Sequence, residues 1–142
     1  MTTTIKAIIF DYGNVLLEWN PRHVYRHYFP DDNDGMEQFF HEVDFMGWNA
    51  QQDRGRTFKE GVADLSSQFP HHAHLIQAYH DHWKESIGNS LTGTVEILKE
   101  LKQAGYSLYG LTNWSAETFP YARAKYAFFD LFDDMVISGT VG

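Results

Sequence analysis

An open α/β fold, with a doubly wound parallel sheet and an all-helical insert, is predicted by three features of the sequence. Two apolar runs, "IKAIIF" at 5–10 and "YSLYGL" at 106–111, each stop abruptly at small polar residues. A strong helix signal directly precedes the second run, which gives half of a βαβ unit. The long stretch between the runs, from about residue 21 to 86, has helical periodicity and no convincing strand.

The first run is rich in isoleucine and meets Asp11, Gly13 and Asn14 at its end, as a buried parallel strand followed by a sharp turn would. The insert follows, in segments such as "RHVYRHYF", "MEQFFHEV" and "HLIQAYHDHWKESI". Thr57 with Glu60 is a capping-box pattern, and Asp53-Arg54-Gly55 before it reads as a loop. Between residues 92 and 105, Val95, Leu98 and Leu101 recur every three residues, with Thr92 or Thr94 as candidate cap and Gly105 as the stop. A further helix is expected over 115–126, disturbed or restarted by Pro120, and then a third strand, "MVIS", at 135–138. The boundaries predicted are an α/β core at 1–17 plus 87–142 and a helical insert at 18–86.

Bulk properties narrow the function. Eleven basic against nineteen acidic residues, a net charge of −8, argue against nucleic acid or an anionic membrane surface as main partner. No cysteine is present, so disulfides and thiolate zinc sites are excluded. The apolar stretch near the N-terminus is too short for a signal peptide or a membrane span, and a soluble cytoplasmic protein is expected.

In open α/β sheets, ligands bind beyond the carboxyl ends of the strands. Asp11 ends the first strand, and Thr112 and Asn113 end the second. On neighbouring strands these groups would converge. A carboxylate there can attack phosphorus or an activated carbon, while a hydroxyl and an amide bind oxyanions without adding charge. Gly13 and Asn14 let the chain turn and aim backbone N–H groups at the same anion.

"IFDYGNVLL" and "LYGLTNWSAETF", with "WNAQQDRGRTFKE", which is similar to the entry to the family's helical cap, resemble the haloacid dehalogenase superfamily, in particular its phosphatase-like group with a D-x-G-N-V first motif. The resemblance spans essentially the whole chain and implies a Rossmann-like core with a helical cap. It implies that Asp11 is the nucleophile, forming an aspartyl-phosphate. The Asp11 carboxylate and the Gly13 carbonyl would hold Mg²⁺, and Thr112, Asn113, Gly13 and Asn14 would bind the phosphoryl group. Many relatives carry a second aspartate, the general acid/base, two residues after the nucleophile, where this chain has Gly13. The family also continues beyond a segment like "ISGTVG" with a lysine and a strand ending in acidic metal ligands, so the sheet of this chain is expected to be incomplete. The strand next to the first would then be missing, leaving an edge through which copies of the chain could associate.

Other features read more plainly. Asp133-Asp134 precedes its strand, at the wrong end for such ligands, and is expected in a solvated loop. Lys102 and Lys125 are expected to be surface charges. His23 and His27, and the group His71, His72, His74, His80 and His82, lack the HExxH signature and are expected to be solvated or structural. Trp114, Trp19, Trp48 and Trp83 are candidates for a pocket wall, with burial in cores the commoner fate of such residues.

The function expected is Mg²⁺-dependent hydrolysis of a small phosphorylated metabolite. A 2-haloacid dehalogenase would use the same aspartate on carbon without metal. A non-catalytic relative acting as a binding or oligomerising module is the alternative from a different class.

Overall fold

The computed structural model describes residues 3–142. Strand β1 (Ala7–Phe10) lies parallel to β4 (Ser107–Thr112), which lies parallel to β5 (Asp134–Ile137), in the order β1-β4-β5. The register pairs Phe10 with Gly110 and Gly110 with Met135, so all three carboxyl ends lie on one side of the sheet, β4 and β5 running two residues past β1. All three strands fall within a residue or two of the runs that predict them.

Five helices form the insert: α1 (Arg22–Tyr25), α2 (Asn33–Glu42), α3 (Phe45–Asp53), α4 (Phe58–Gln68) and α5 (Ala73–Asp81). Their shared core is aromatic. Phe45 packs at 4.5 Å from Phe40 and 4.9 Å from Tyr79, with Tyr25, Phe39 and Phe58 completing the cluster. Thr57 caps α4 in the expected capping box with Glu60.

Two short strands escaped the sequence reading. β2 (Leu17–Trp19) and β3 (Ile87–Ser90) pair antiparallel where the chain leaves β1 and where it returns toward the sheet. Three or four residues are too few to display a period of two, so no alternation could betray them.

Helix α6 (Thr92–Gln103) leads into β4, and α7 (Phe119–Lys125) leads toward β5. The N-cap position of α6 is Leu91 with no side-chain cap, so neither Thr92 nor Thr94 serves as the expected cap. Gly105, at φ +90°, ends that helix as glycine readily does. Pro120 sits in the first turn of α7, where its missing N–H costs nothing, and the chain before Phe119 stays non-helical.

Helices cover one face of the sheet. Val95 and Leu98 of α6, Phe119 and Ala122 of α7, and Phe128 and Phe129 of the 3-10 turn Ala127–Leu131 pack there around Tyr12. The chain steps in one direction through β1, β4 and β5, and right-handed crossovers then deliver every connecting helix to the same side. A doubly wound sheet needs a second set of helices on its other face. Among the described residues that face is bare, with Ile9 66% exposed, Leu111 55% and Val136 46%. β1 is an edge strand. Among the described residues no helix is long and apolar enough to cross a membrane.

Asp133 lies exposed in the bend before β5, as expected, and also ties elements together. Its carboxylate accepts the Leu108 amide at 2.8 Å and the Lys102 ammonium at 3.0 Å, tying β5 and α6 to the start of β4. The Leu108 amide, then the Lys102 ammonium, hold its carboxyl below the usual carboxylate range. A lowered pKa means stability that is present above the unfolded value, near 4, and lost as pH falls through the folded one. Asp133→Ala is therefore expected to lower the denaturant midpoint at pH 7 and to flatten its decline in acid. Urea melts at several pH values check this, and parallel curves for variant and wild type would refute it.

Candidate functional site

Asp11 leaves the end of β1 into a turn that the Tyr12 carbonyl closes, accepting the Val15 and Leu16 amides at 3.1 and 2.8 Å. Asn14 adopts the left-handed conformation at φ +57°, which asparagine tolerates better than most residues. It donates its amide to the Leu17 carbonyl at 2.7 Å and accepts the Trp19 amide on Oδ1 at 2.9 Å. Asn14 thus spends two of its polar groups on holding the turn. Gly13 spends none. Neither its amide nor its carbonyl takes part in a hydrogen bond among the described residues, and a Cβ there would meet nothing within 4 Å.

The adjacent strand β4 ends in Thr112, which is buried, and runs into a loop fixed by three contacts. The Trp114 amide donates to the Ser138 hydroxyl at 3.0 Å, the Gly139 amide donates to the Trp114 carbonyl at 3.0 Å, and the Trp114 indole N–H donates to Thr118 Oγ1 at 3.0 Å. Ser138 begins the short helix α8 (Ser138–Val141), and its hydroxyl also donates to the Asp53 carbonyl at the end of α3. One hydroxyl therefore joins the ends of β4 and β5 to the insert. Glu117 adds a second tie, its carboxylate accepting the Phe58 amide at 2.6 Å.

These elements enclose a cavity of about 240 Å³. Asp11, Gly13, Asn14, Thr112, Asn113, Trp114 and Trp19 all line it, so the residues singled out in the two strand-end motifs share one space. Trp83 lines it as well, its ring 6.1 Å from that of Trp114. Trp48 does not. It is buried behind the cavity wall and donates its indole N–H to the Gly61 carbonyl at 2.8 Å. Helix geometry explains the difference: Asn49 and Asp53, four apart, face the cavity, while Trp48 and Gln52 lie on the face turned to α4.

Sequence reasoning missed Asn49, Asp53, Tyr79 and Ser138. Burial pushes the Asp53 carboxyl up to about 6, against a smaller opposing pull from the Ser115 amide. Burial likewise raises the Tyr79 phenol, and the nearby polar groups of Trp19, Ser86 and Trp83 pull it only partly back. Among the described residues no histidine lines the cavity. His71 and His72 instead share the Glu42 carboxylate on the insert surface, each with Nε2 at 3.1 Å.

The arrangement offers a solvent-accessible carboxylate, a hydroxyl, a carboxamide and an unspent backbone carbonyl on one side of a cavity whose other walls combine aromatic rings with Asn49 and Asp53. The Asp11 carboxylate and the Gly13 carbonyl are hard oxygen donors and fit a cation that retains waters and takes its remaining ligands from a phosphate.

No protein-family model matches the chain. Over 145 aligned residues it is 29% identical to the sesquiterpene phosphatase AstK of Aspergillus oryzae, covering all of this chain and 68% of that one. It superposes on the crystal structure of a HAD family enzyme of Bacteroides thetaiotaomicron with a TM-score of 0.69 at 17% identity, covering 98% of this chain and 71% of that one. The wild-type form of that enzyme in complex with magnesium and inorganic phosphate gives a TM-score of 0.65 at 18% identity, over 96% of this chain and 70% of that one.

Proposed function

We propose that this chain, haloacid dehalogenase-like in sequence and in fold, hydrolyses phosphomonoesters with Mg²⁺ through an aspartyl-phosphate on Asp11. The observation that carries the reading is the shared cavity of Asp11, Thr112 and Asn113, delivered by neighbouring parallel strands with the open Gly13 turn between them. The phosphatase relative supports the reaction class, and the magnesium and phosphate complex of the structural neighbour supports the cofactor.

Asp11 Oδ attacks phosphorus in line with the leaving oxygen. The Thr112 hydroxyl and the Asn113 amide bind equatorial phosphoryl oxygens and orient the group. Gly13 and Asp11 would hold the cation, which when bound neutralises the charge of the phosphate and lowers its repulsion by the attacking carboxylate. Water then attacks the aspartyl-phosphate and frees Asp11. Residues 18–86 act as a cap that excludes bulk water and contacts the alcohol portion of the substrate, and Trp19, Trp83 and Trp114 suit an apolar one. The substrate class is thus a small phosphorylated metabolite with an apolar body.

The test is turnover of a phosphomonoester panel by the purified 142-residue chain, with Mg²⁺ and with a chelator. Release of phosphate that stops on chelation is the expected result. Halide release from a 2-haloacid in the presence of chelator would instead assign the dehalogenase chemistry.

The bare sheet face supports a second reading, association of copies through that face and the β1 edge. Sedimentation at increasing concentration is expected to show a dimer or larger species. A monomer at all concentrations would dismiss it.

A further inference from the structure

We infer that Asp53 is the proton donor to the leaving oxygen, an assignment that rests on the phosphatase reading above. The motif turn carries no acid of its own, because Gly13 stands two residues after Asp11. Among the described residues lining the cavity, Asp11 and Asp53 are the two carboxyl groups, and no histidine, lysine or arginine accompanies them. Tyr79, the remaining titratable group of the lining, is fully buried.

Asp53 is held in place by more than its helix. Its carbonyl accepts the Ser138 hydroxyl, and that same hydroxyl accepts the Trp114 amide, one residue from Asn113. The backbone of Asp53 is therefore tied, through two hydrogen bonds, to the loop that would grip the phosphoryl group, and the Ser115 amide of that loop faces its carboxyl. Burial raises its pKa to about 6, so a large share of it is protonated in mildly acidic solution. The groups that titrate around it are Asp11 across the cavity, Tyr79 of α5, His80 stacked on Phe58, and Glu117 at the Phe58 amide, with Arg54 and Arg56 following it in the chain.

The step balances. As Asp11 Oδ bonds to phosphorus, the P–O bond to the alcohol breaks, and its electron pair stays on the leaving oxygen. That oxygen takes the Asp53 proton, leaving the alcohol neutral and Asp53 ionised. In the second half, Asp53 removes a proton from the attacking water while the P–O bond to Asp11 breaks. The acid and the nucleophile are then both restored.

The experiment compares Asp53→Asn with wild type on two substrates in Mg²⁺ across pH 5 to 8: 4-nitrophenyl phosphate, whose leaving group needs no acid, and 2-phenylethyl phosphate, whose alkoxide does. The expected result is a loss of about 100-fold or more in kcat/KM on the alkyl ester and a far smaller loss on the aryl one. Wild-type activity on the alkyl ester is expected to fall as pH rises past about 6, and the variant is expected to lack that fall. Asp53→Glu is expected to restore part of the alkyl activity. Equal losses on both esters, or an unchanged pH profile, would overturn the assignment and leave Asp53 a structural residue. Asp11→Asn separates the two claims, since its failure to abolish either activity refutes the phosphatase reading and not the folding of the site. Where the wild-type chain turns over neither ester, the side-chain carboxyl of Asp53 is titrated by carbon NMR with and without inorganic phosphate and Mg²⁺. A phosphate-dependent rise in its midpoint supports the assignment, and no change overturns it.

Discussion

Asp11→Asn is expected to reduce phosphomonoester turnover by roughly 10⁴-fold or more, the scale seen when a nucleophile is removed from a site whose binding groups remain. The substitution keeps the shape of the side chain and removes the charge that makes it a nucleophile. Folding should be unaffected, because the carboxylate is exposed and its hydrogen bond is a local one, accepting the amide of Tyr12. Far-ultraviolet dichroism and thermal melting are expected to match wild type, which makes the loss a chemical one. Binding of inorganic phosphate provides an independent readout. Without Mg²⁺ the neutral amide no longer repels the anion, so phosphate is expected to bind the variant more tightly than wild type. Retention of even a few per cent of turnover, insensitive to chelator, would sink the aspartyl-phosphate mechanism.

What could be read in advance follows from where each group lies along its strand. Asp11, Thr112 and Asn113 are legible because a parallel sheet brings the carboxyl ends of its strands together whatever intervenes in sequence. The insert is legible as helix because its apolar residues repeat at helical spacing over many turns. Ser138 could be seen to close the third strand, yet its role depends on a carbonyl 85 residues away, and nothing local announces that partner. Asp53 sits in "DRG", a string that reads as a loop, and only the packing of α3 on α4 decides that positions 49 and 53 face the cavity. The same packing turns Trp48 away, so an aromatic that looked like pocket wall belongs to the core of the insert. Asp133 illustrates the converse. The end-of-strand rule correctly separates it from the cavity, while its tie to the Leu108 amide needs the register of β4 with β5 to be known.

Both the fold and the site depend on one close approach of backbone, at Gly139. Gly139 follows Ser138, and a Cβ on it would lie 2.5 Å from the Ala116 nitrogen, 2.6 Å from the Trp114 oxygen and 3.0 Å from the Ser115 carbonyl carbon. Every one of these atoms is backbone, so no side chain can swing aside to make room. Gly139→Ala must therefore displace the loop after β4, strain the hydrogen bond that the amide at 139 donates to the Trp114 carbonyl, and loosen the Ser138 bridge to Asp53. The expected cost is about 3 kcal/mol, the upper end for overpacking, or roughly 6–12 °C in Tm for a domain of this size. Because the displaced loop carries Asn113 and Trp114, kcat/KM is expected to fall by more than the loss of folded protein explains. Gly93→Ala is the matched control. It lies in the first turn of α6 with nothing within 4 Å of the added carbon, and alanine favours helix, so Tm is expected to hold or rise slightly. If both variants melt like wild type, the loop after β4 does not need the close approach at Gly139. The hydrogen bonds from Trp114 through Ser138 to Asp53 would then not be what holds that loop in place.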